Sequence, residues 1–200
     1  MRYRSCLLAF AAAAIFVVAS SAFGEILFQD NFDSGTWDPR WVVSGSPYID
    51  SGRLMFPEGG ANMTVGGLNV ADVLVMVDAI GVHTDVNIVA RKVLTNFLNF
   101  THAWGKLYSY EVVNDTWIGP IPRDIFTPGL VDPMHFMVLI QGGRIDFAVT
   151  DGAGMTYVHS REVYDPALLA PGTVAIRGGG WCPTFDPYVN PPPCTSLGCT

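Results

Sequence analysis

The sequence predicts an all-β protein, built as a two-sheet antiparallel β-sandwich. Three observations carry this. The apolar runs, rich in Val, Ile, Phe, Tyr and Trp, are short and are bounded by Gly, Pro, Asn and Asp. No stretch after residue 24 repeats its apolar residues at helical spacing between capping residues. The chain also carries 21 glycines and 14 prolines, which suit frequent turns and positive φ angles.

The elements follow in order. Residues 1–24 read as an export signal and lie outside the fold. Arg2 and Arg4 form a basic start, Leu7 to Val18 is an unbroken apolar run of 12, and small residues offer cleavage after Ala22 or after Gly24. The rival reading is an uncleaved anchor, but the run is short of the roughly 20 residues a spanning helix needs. Cys6 precedes the apolar run, whereas a lipid-bearing cysteine would follow it. Residues 25–189 form one domain, and 190–200 a Pro- and Cys-rich tail.

Within the domain about ten to twelve strands are expected. They begin with Glu25 to Gln29, then Trp41 to Ser44, Tyr48 to Asp50 and Arg53 to Phe56, with Met63 to Val65 a short candidate. Asp72 to Val82 is apolar at nearly every position, so it is expected mid-sheet and buried on both faces. In Val86 to Val93, Asn87 and Arg91 alternate against Val86, Ile88 and Ala90, which places Asn87 and Arg91 on one face. Asn96 to Trp104 and Lys106 to Val113 are aromatic-rich. The clearest hairpin is Phe136 to Gln141, turning at Gly142-Gly143 into Arg144 to Val149, and ending at Asp151-Gly152. Gly172 to Arg177 and a segment spanning Trp181 to Val189 close the domain, with Pro187 interrupting the last.

Charge and cysteine content narrow the function classes. Removing residues 1–24 takes two of the 11 basic residues and none of the 18 acidic ones, leaving 9 against 18 and a net charge of −9. Such acidity repels nucleic acid and anionic lipid, so neither is an expected partner. The destination is secreted, periplasmic or cell-surface. Cys182, Cys194 and Cys199 remain after cleavage. An oxidising compartment favours a bridge from Cys182 to Cys194 or to Cys199, with one thiol over. A zinc site is the alternative, but no histidine follows His159 to complete it.

The opening Phe28-Gln29-Asp30-Asn31-Phe32-Asp33-Ser34-Gly35-Thr36-Trp37-Asp38-Pro39-Arg40-Trp41, continuing to Ile49-Asp50-Ser51-Gly52-Arg53-Leu54, resembles the first strands of concanavalin A-like lectin/glucanase sandwiches, jelly rolls of the laminin-G-like kind in secreted bacterial proteins. The hairpin around Gly142-Gly143, the strand Gly172 to Arg177 and the pair Phe185-Asp186 match later parts of the same pattern. The resemblance spans Glu25 to Val189. It implies a carbohydrate-binding or adhesion-type module with a glycan or cell-surface polysaccharide as partner. It also implies a structural calcium joining the two chain ends, held by Asp30 and Asp186 with carbonyls near Gly52.

Two other classes stay open: a glycoside hydrolase-like enzyme with degenerate motifs, and a scaffold domain with no small ligand. Hydrolases on this fold resemble Glu-x-Asp-x-x-Glu enzymes, and that motif is absent here. Glu25, Glu58, Glu111 and Glu162 are scattered singly, and Glu111 with Asp115 is a weak pair. No Gly-x-Ser-x-Gly elbow occurs, and His83, His102, His135 and His159 show no metal-ligand spacing. A sugar site instead needs aromatic platforms beside polar side chains. The stretch from Phe97 to Trp117 holds these parts, and Tyr108 and Tyr110 share a face of one strand. The expected ligand-binding residues are Arg91, Trp104, Tyr108, Tyr110 and Trp117. Three sequons, at Asn62, Asn99 and Asn114, are expected to be unused.

Overall fold

The computed structural model describes residues 25–57, 60–80, 86–103, 105–120 and 125–178. The export signal, Trp104, the expected last strand with Asp186, the three cysteines and the 190–200 tail lie outside the described residues. Among the described residues there are fourteen strands: β1 Trp41–Ser44, β2 Tyr48–Asp50, β3 Arg53–Met55, β4 Ala61–Val65, β5 Val73–Ala79, β6 Val86–Val93, β7 Asn96–Ala103, β8 Lys106–Val113, β9 Thr116–Ile118, β10 Ile125–Phe126, β11 Met134–Gln141, β12 Arg144–Thr150, β13 Thr156–Glu162 and β14 Thr173–Gly178. One 3-10 turn, Pro166–Leu169, is the only helical element among the described residues.

The strands form an eight-stranded sheet in the order β1-β4-β14-β6-β7-β8-β10, with β9 also paired to β8. A four-stranded sheet follows the order β13-β12-β11-β5, and β2-β3 stands as a separate hairpin. All pairings are antiparallel. The sandwich is therefore the architecture the sequence predicts. Its core forms where Ile88, Ala90, Leu98, Phe100 and Leu107 of the large sheet meet Phe136, Val138, Ile140, Ile145, Phe147 and Val149 of the small one. These residues recur at every second position along their strands, so one face of each sheet is withdrawn from water. The hairpin between β11 and β12 turns at Gly142, whose φ is +56°.

Two expectations about strands are corrected. Residues 25–29 form no strand. Asp30 instead folds the segment onto the following loop by accepting hydrogen bonds from the Phe32, Asp38 and Trp41 N–H groups. The apolar run after Asp72 becomes β5, an edge strand that pairs with β11 alone. Only Val73, Val75, Val77 and Ala79 pack against the core, while Leu74 and Met76 point outward and Met76 is 71% exposed. Continuous apolar character marks double burial only when both sheet faces are covered. The outer face of this four-stranded sheet leaves Leu74, Met76 and Val158 exposed.

The first strand, β1, and β14 share one sheet. Phe28 packs edge-on against Trp41 of β1 at 4.7 Å, and β4 lies between β1 and β14.

Candidate functional site

Strand register turns the sequence's scattered polar residues into rows on the outer face of the eight-stranded sheet. Inward positions are fixed by Met63, Ile88 and Phe100, all fully buried. Their strand neighbours must face the other way. One outward row runs Ser44, Asn62, Arg177, Asn87, Thr101, Tyr108. The next runs Val42, Thr64, Ala175, Val89, Asn99, Tyr110. A third joins Phe97, Val112 and Trp117. No strand position in these rows carries a carboxylate.

The polar part is knitted together but incomplete. Asn87 Oδ1 accepts hydrogen bonds from Thr101 Oγ1 at 2.7 Å and from Asn99 Nδ2 at 3.2 Å. Asn99 Nδ2 also donates to Thr101 Oγ1 at 2.6 Å. Asn62 Nδ2 donates to Thr64 Oγ1 at 3.3 Å. The carbonyl oxygens of Asn62 and Asn99 are shielded from solvent and have no partner. A shielded acceptor without a donor is destabilising, so such atoms are few in folded proteins.

The aromatic part adjoins it. Tyr110 lies between Tyr108 and Trp117, with ring centroids at 6.3 and 5.6 Å, and Phe97 meets Trp117 edge-on at 5.7 Å. These four rings, on three adjacent strands, form one cluster. Trp117 is its most open member at 37% exposure, and Tyr110 is half-buried. Tyr108 is 3% exposed and its hydroxyl donates to the Ala103 carbonyl, so it supports the cluster from below.

Tyr108, Tyr110 and Trp117 are thus brought together, and Trp104 lies outside the described residues. Arg91 is not with them. Alternation along β6 puts it beside Asn87 and Val89, but a bulge between Ala90 and Val93 interrupts the register, with Arg91 at φ +50°. The extra residue turns the side chain inward. There Arg91 is 2% exposed. It donates to the Ala71, Leu168 and Gly142 carbonyls at 2.7, 3.0 and 2.5 Å, with the Asp72 carboxylate 3.6 Å away. Lys92 takes the outward place. Its Nζ donates to Thr64 Oγ1 at 3.3 Å, on the second row.

The remaining candidate groups serve the fold. Glu111 is fully buried and receives Arg161 Nη1 at 2.6 Å together with the Tyr164 and Asp165 backbone N–H groups. Asp115 sits in the β8–β9 turn, where Asn114 and Asp115 have φ of +51° and +62°. These two acids therefore form no catalytic pair. His159 meets Ser109 at 3.0 Å between the sheets, His102 meets Thr127 at 3.3 Å, and His135 meets Asp78 at 2.7 Å on the surface. His83 lies outside the described residues.

Asp30, the near half of the expected calcium pair, spends Oδ1 on Phe32 N at 3.0 Å and Oδ2 on Asp38 N and Trp41 Nε1 at 2.7 and 2.9 Å. At Gly52 the neighbouring carboxylate is that of Asp33, whose Oδ1 would lie 3.3 Å from a Cβ placed there. A carboxylate whose oxygens already receive three N–H donors is a poor fit for a cation, which needs those lone pairs. No group of three or more metal-ligating side chains occurs among the described residues.

No family model matches the sequence, and no curated protein matches it. Solved structures do resemble the fold. The carbohydrate binding module CBM66 from Bacillus subtilis aligns over 70% of this chain and 88% of its own at a TM-score of 0.53 and 12% identity. A toad ovary galectin in complex with thio-digalactose aligns over 58% of this chain and 90% of its own, with a TM-score of 0.41 and 15% identity. Sheep galectin-11 in complex with glycerol aligns over 60% and 89%, with a TM-score of 0.42 and 12% identity. The chain shares with the first of these a jelly-roll β-sandwich fold.

Proposed function

We propose that this protein is an exported carbohydrate-binding or adhesion-type module that holds a glycan on the outer face of its eight-stranded sheet. The observation that carries the reading is the pairing of two solvent-shielded, unpartnered carbonyl oxygens, on Asn62 and Asn99, with a ring cluster that leaves Trp117 open on the same face. A sugar offers hydroxyl donors to such acceptors, and its C–H faces pack on an aromatic plane. None of the described strand positions in these rows carries an acid or base of the kind glycoside cleavage uses. The likeness to a carbohydrate binding module supports the reading at the level of fold.

The test is a polysaccharide pull-down and glycan array on the full chain, run with Trp117→Ala and Asn99→Ala variants. Retention on at least one glycan, lost in both variants, is the expected result. A negative result across polysaccharides replaces this reading with that of a scaffold domain.

A further inference from the structure

The outer face carries two cations that the fold does not neutralise. Arg177 stands in the first row between Asn62 and Asn87. Lys92 reaches over the second row to Thr64, after the bulge in β6 has sent Arg91 inside. The residue between them on the sheet is Ala175, flanked by Thr64 and Val89. The guanidinium of Arg177 has no hydrogen-bond partner and neither cation is paired with a carboxylate among the described residues. Of the other described arginines, Arg40, Arg91, Arg144 and Arg161 each face a carboxylate, and Arg53 is exposed on β3.

This pair is unfavourable as it stands. Both groups are half-buried. Burial pushes the Lys92 ammonium below its ordinary value, and the Arg177 charge beside it pushes the same way. Burial alone lowers Arg177. In a chain of formal net charge −7, carboxylates are abundant, yet no described one pairs with either cation. Five guanidinium donors in a fixed fork match a planar or tetrahedral anion better than they match single hydroxyls.

We propose that the glycan held on this face is anionic, its carboxylate or sulfate group seated between Lys92 and Arg177. The proposal rests on the carbohydrate-binding reading and deepens it. The sugar ring then lies toward Asn99 and the Tyr110–Trp117 rings. The overall acidity of the chain repels polyanions, so tight binding to one requires a local positive site of this kind.

The experiment is calorimetric titration of the full chain with polygalacturonate, a sulfated galactan and a neutral galactan, at low and at high sodium chloride. One or both charged polymers are expected to bind at least about tenfold more tightly than the neutral one, and to lose that advantage as salt rises. Preference between the two polymers identifies carboxylate or sulfate as the recognised group. Lys92→Gln and Arg177→Gln are each expected to weaken charged-polymer binding about tenfold, with folding unchanged by circular dichroism. Equal affinity for the neutral galactan, or undiminished binding by both glutamine variants, overturns the anionic assignment while leaving glycan binding standing. Failure of all three polymers, alongside a negative glycan array, overturns both.

Discussion

Arg161 on β13 and Glu111 on β8 meet between the two sheets, Nη1 to Oε1 at 2.6 Å, with both side chains out of contact with solvent. Arg161 Nε also donates to Ser109 Oγ at 2.7 Å, and Ser109 meets His159, so four polar residues are clamped into one edge of the core. Glu111 further anchors the chain as it enters the 3-10 turn, through the N–H groups of Tyr164 and Asp165. Removing one partner of such a pair leaves the other charge uncompensated in a dry setting. Glu111→Ala and Arg161→Met are each expected to destabilise the protein by about 3–5 kcal/mol. Urea denaturation would show it, and the double variant Glu111→Leu/Arg161→Met should recover a large part of the loss. A double variant no better than either single one would show that the pair's hydrogen bonds matter more than its charges.

Arg91 holds three carbonyls from distant parts of the chain, at residues 71, 142 and 168. Arg91→Met strands those acceptors and is expected to lower stability by about 3 kcal/mol or more. Gly172→Ala attacks the same place from the other side, because a Cβ there would lie 2.5 Å from the Arg91 carbonyl carbon. Thermal melting of both variants checks this, and a melting temperature within a degree or two of the parent for Arg91→Met contradicts it.

Asn62 makes one long hydrogen bond and leaves its carbonyl oxygen unpartnered. Replacing it with Leu is therefore expected to change folding stability by less than about 1 kcal/mol, while glycan binding falls about tenfold. Chemical denaturation and calorimetry on the same sample separate the two effects. A fall in stability without a fall in affinity would assign Asn62 to the fold.

Burial holds the His102 pKa below its ordinary 6.5. The ring faces Thr127 Oγ1 and the Phe136 ring. The unfolded chain then binds a proton that the folded one refuses, so stability drops as pH falls below about 6.5. Melting curves from neutral pH to about pH 5 should show a decline that is shallower in His102→Gln. A variant with the parent's slope would assign the acid sensitivity to other groups.

The three N–H groups on Asp30 account for that carboxylate without a metal. Calcium or a chelator is accordingly expected to leave the melting temperature unchanged, whereas Asp30→Ala lowers it by freeing the opening loop. A rise of several degrees with calcium would restore the expected clamp between Asp30 and Asp186.

Several elements were legible in the residues themselves. Trp41–Ser44, Tyr48–Asp50 and the hairpin around Gly142 follow from β-branched and aromatic runs punctuated by turn formers. β13 was not legible, because its Thr-Tyr-Val-His-Ser-Arg-Glu sequence turns His159 and Arg161 inward, the reverse of the usual alternation. The first expected strand failed for a local reason, the Asp30 hydrogen bonds. The ring cluster of Tyr108, Tyr110 and Trp117 could be anticipated from spacing within β8 and its neighbour. The rows through Asn62, Asn87 and Arg177 could not, since they join strands far apart in the chain, and only pairing through β14 sets them side by side.

The bulge in β6 has one more implication. A single inserted residue decides which of two adjacent basic side chains braces the interior and which confronts the solvent face. Shortening the strand by that residue would exchange their roles with no change of amino-acid type. Which cation this surface presents is therefore written partly in chain length, and comparisons that score substitutions alone would overlook it.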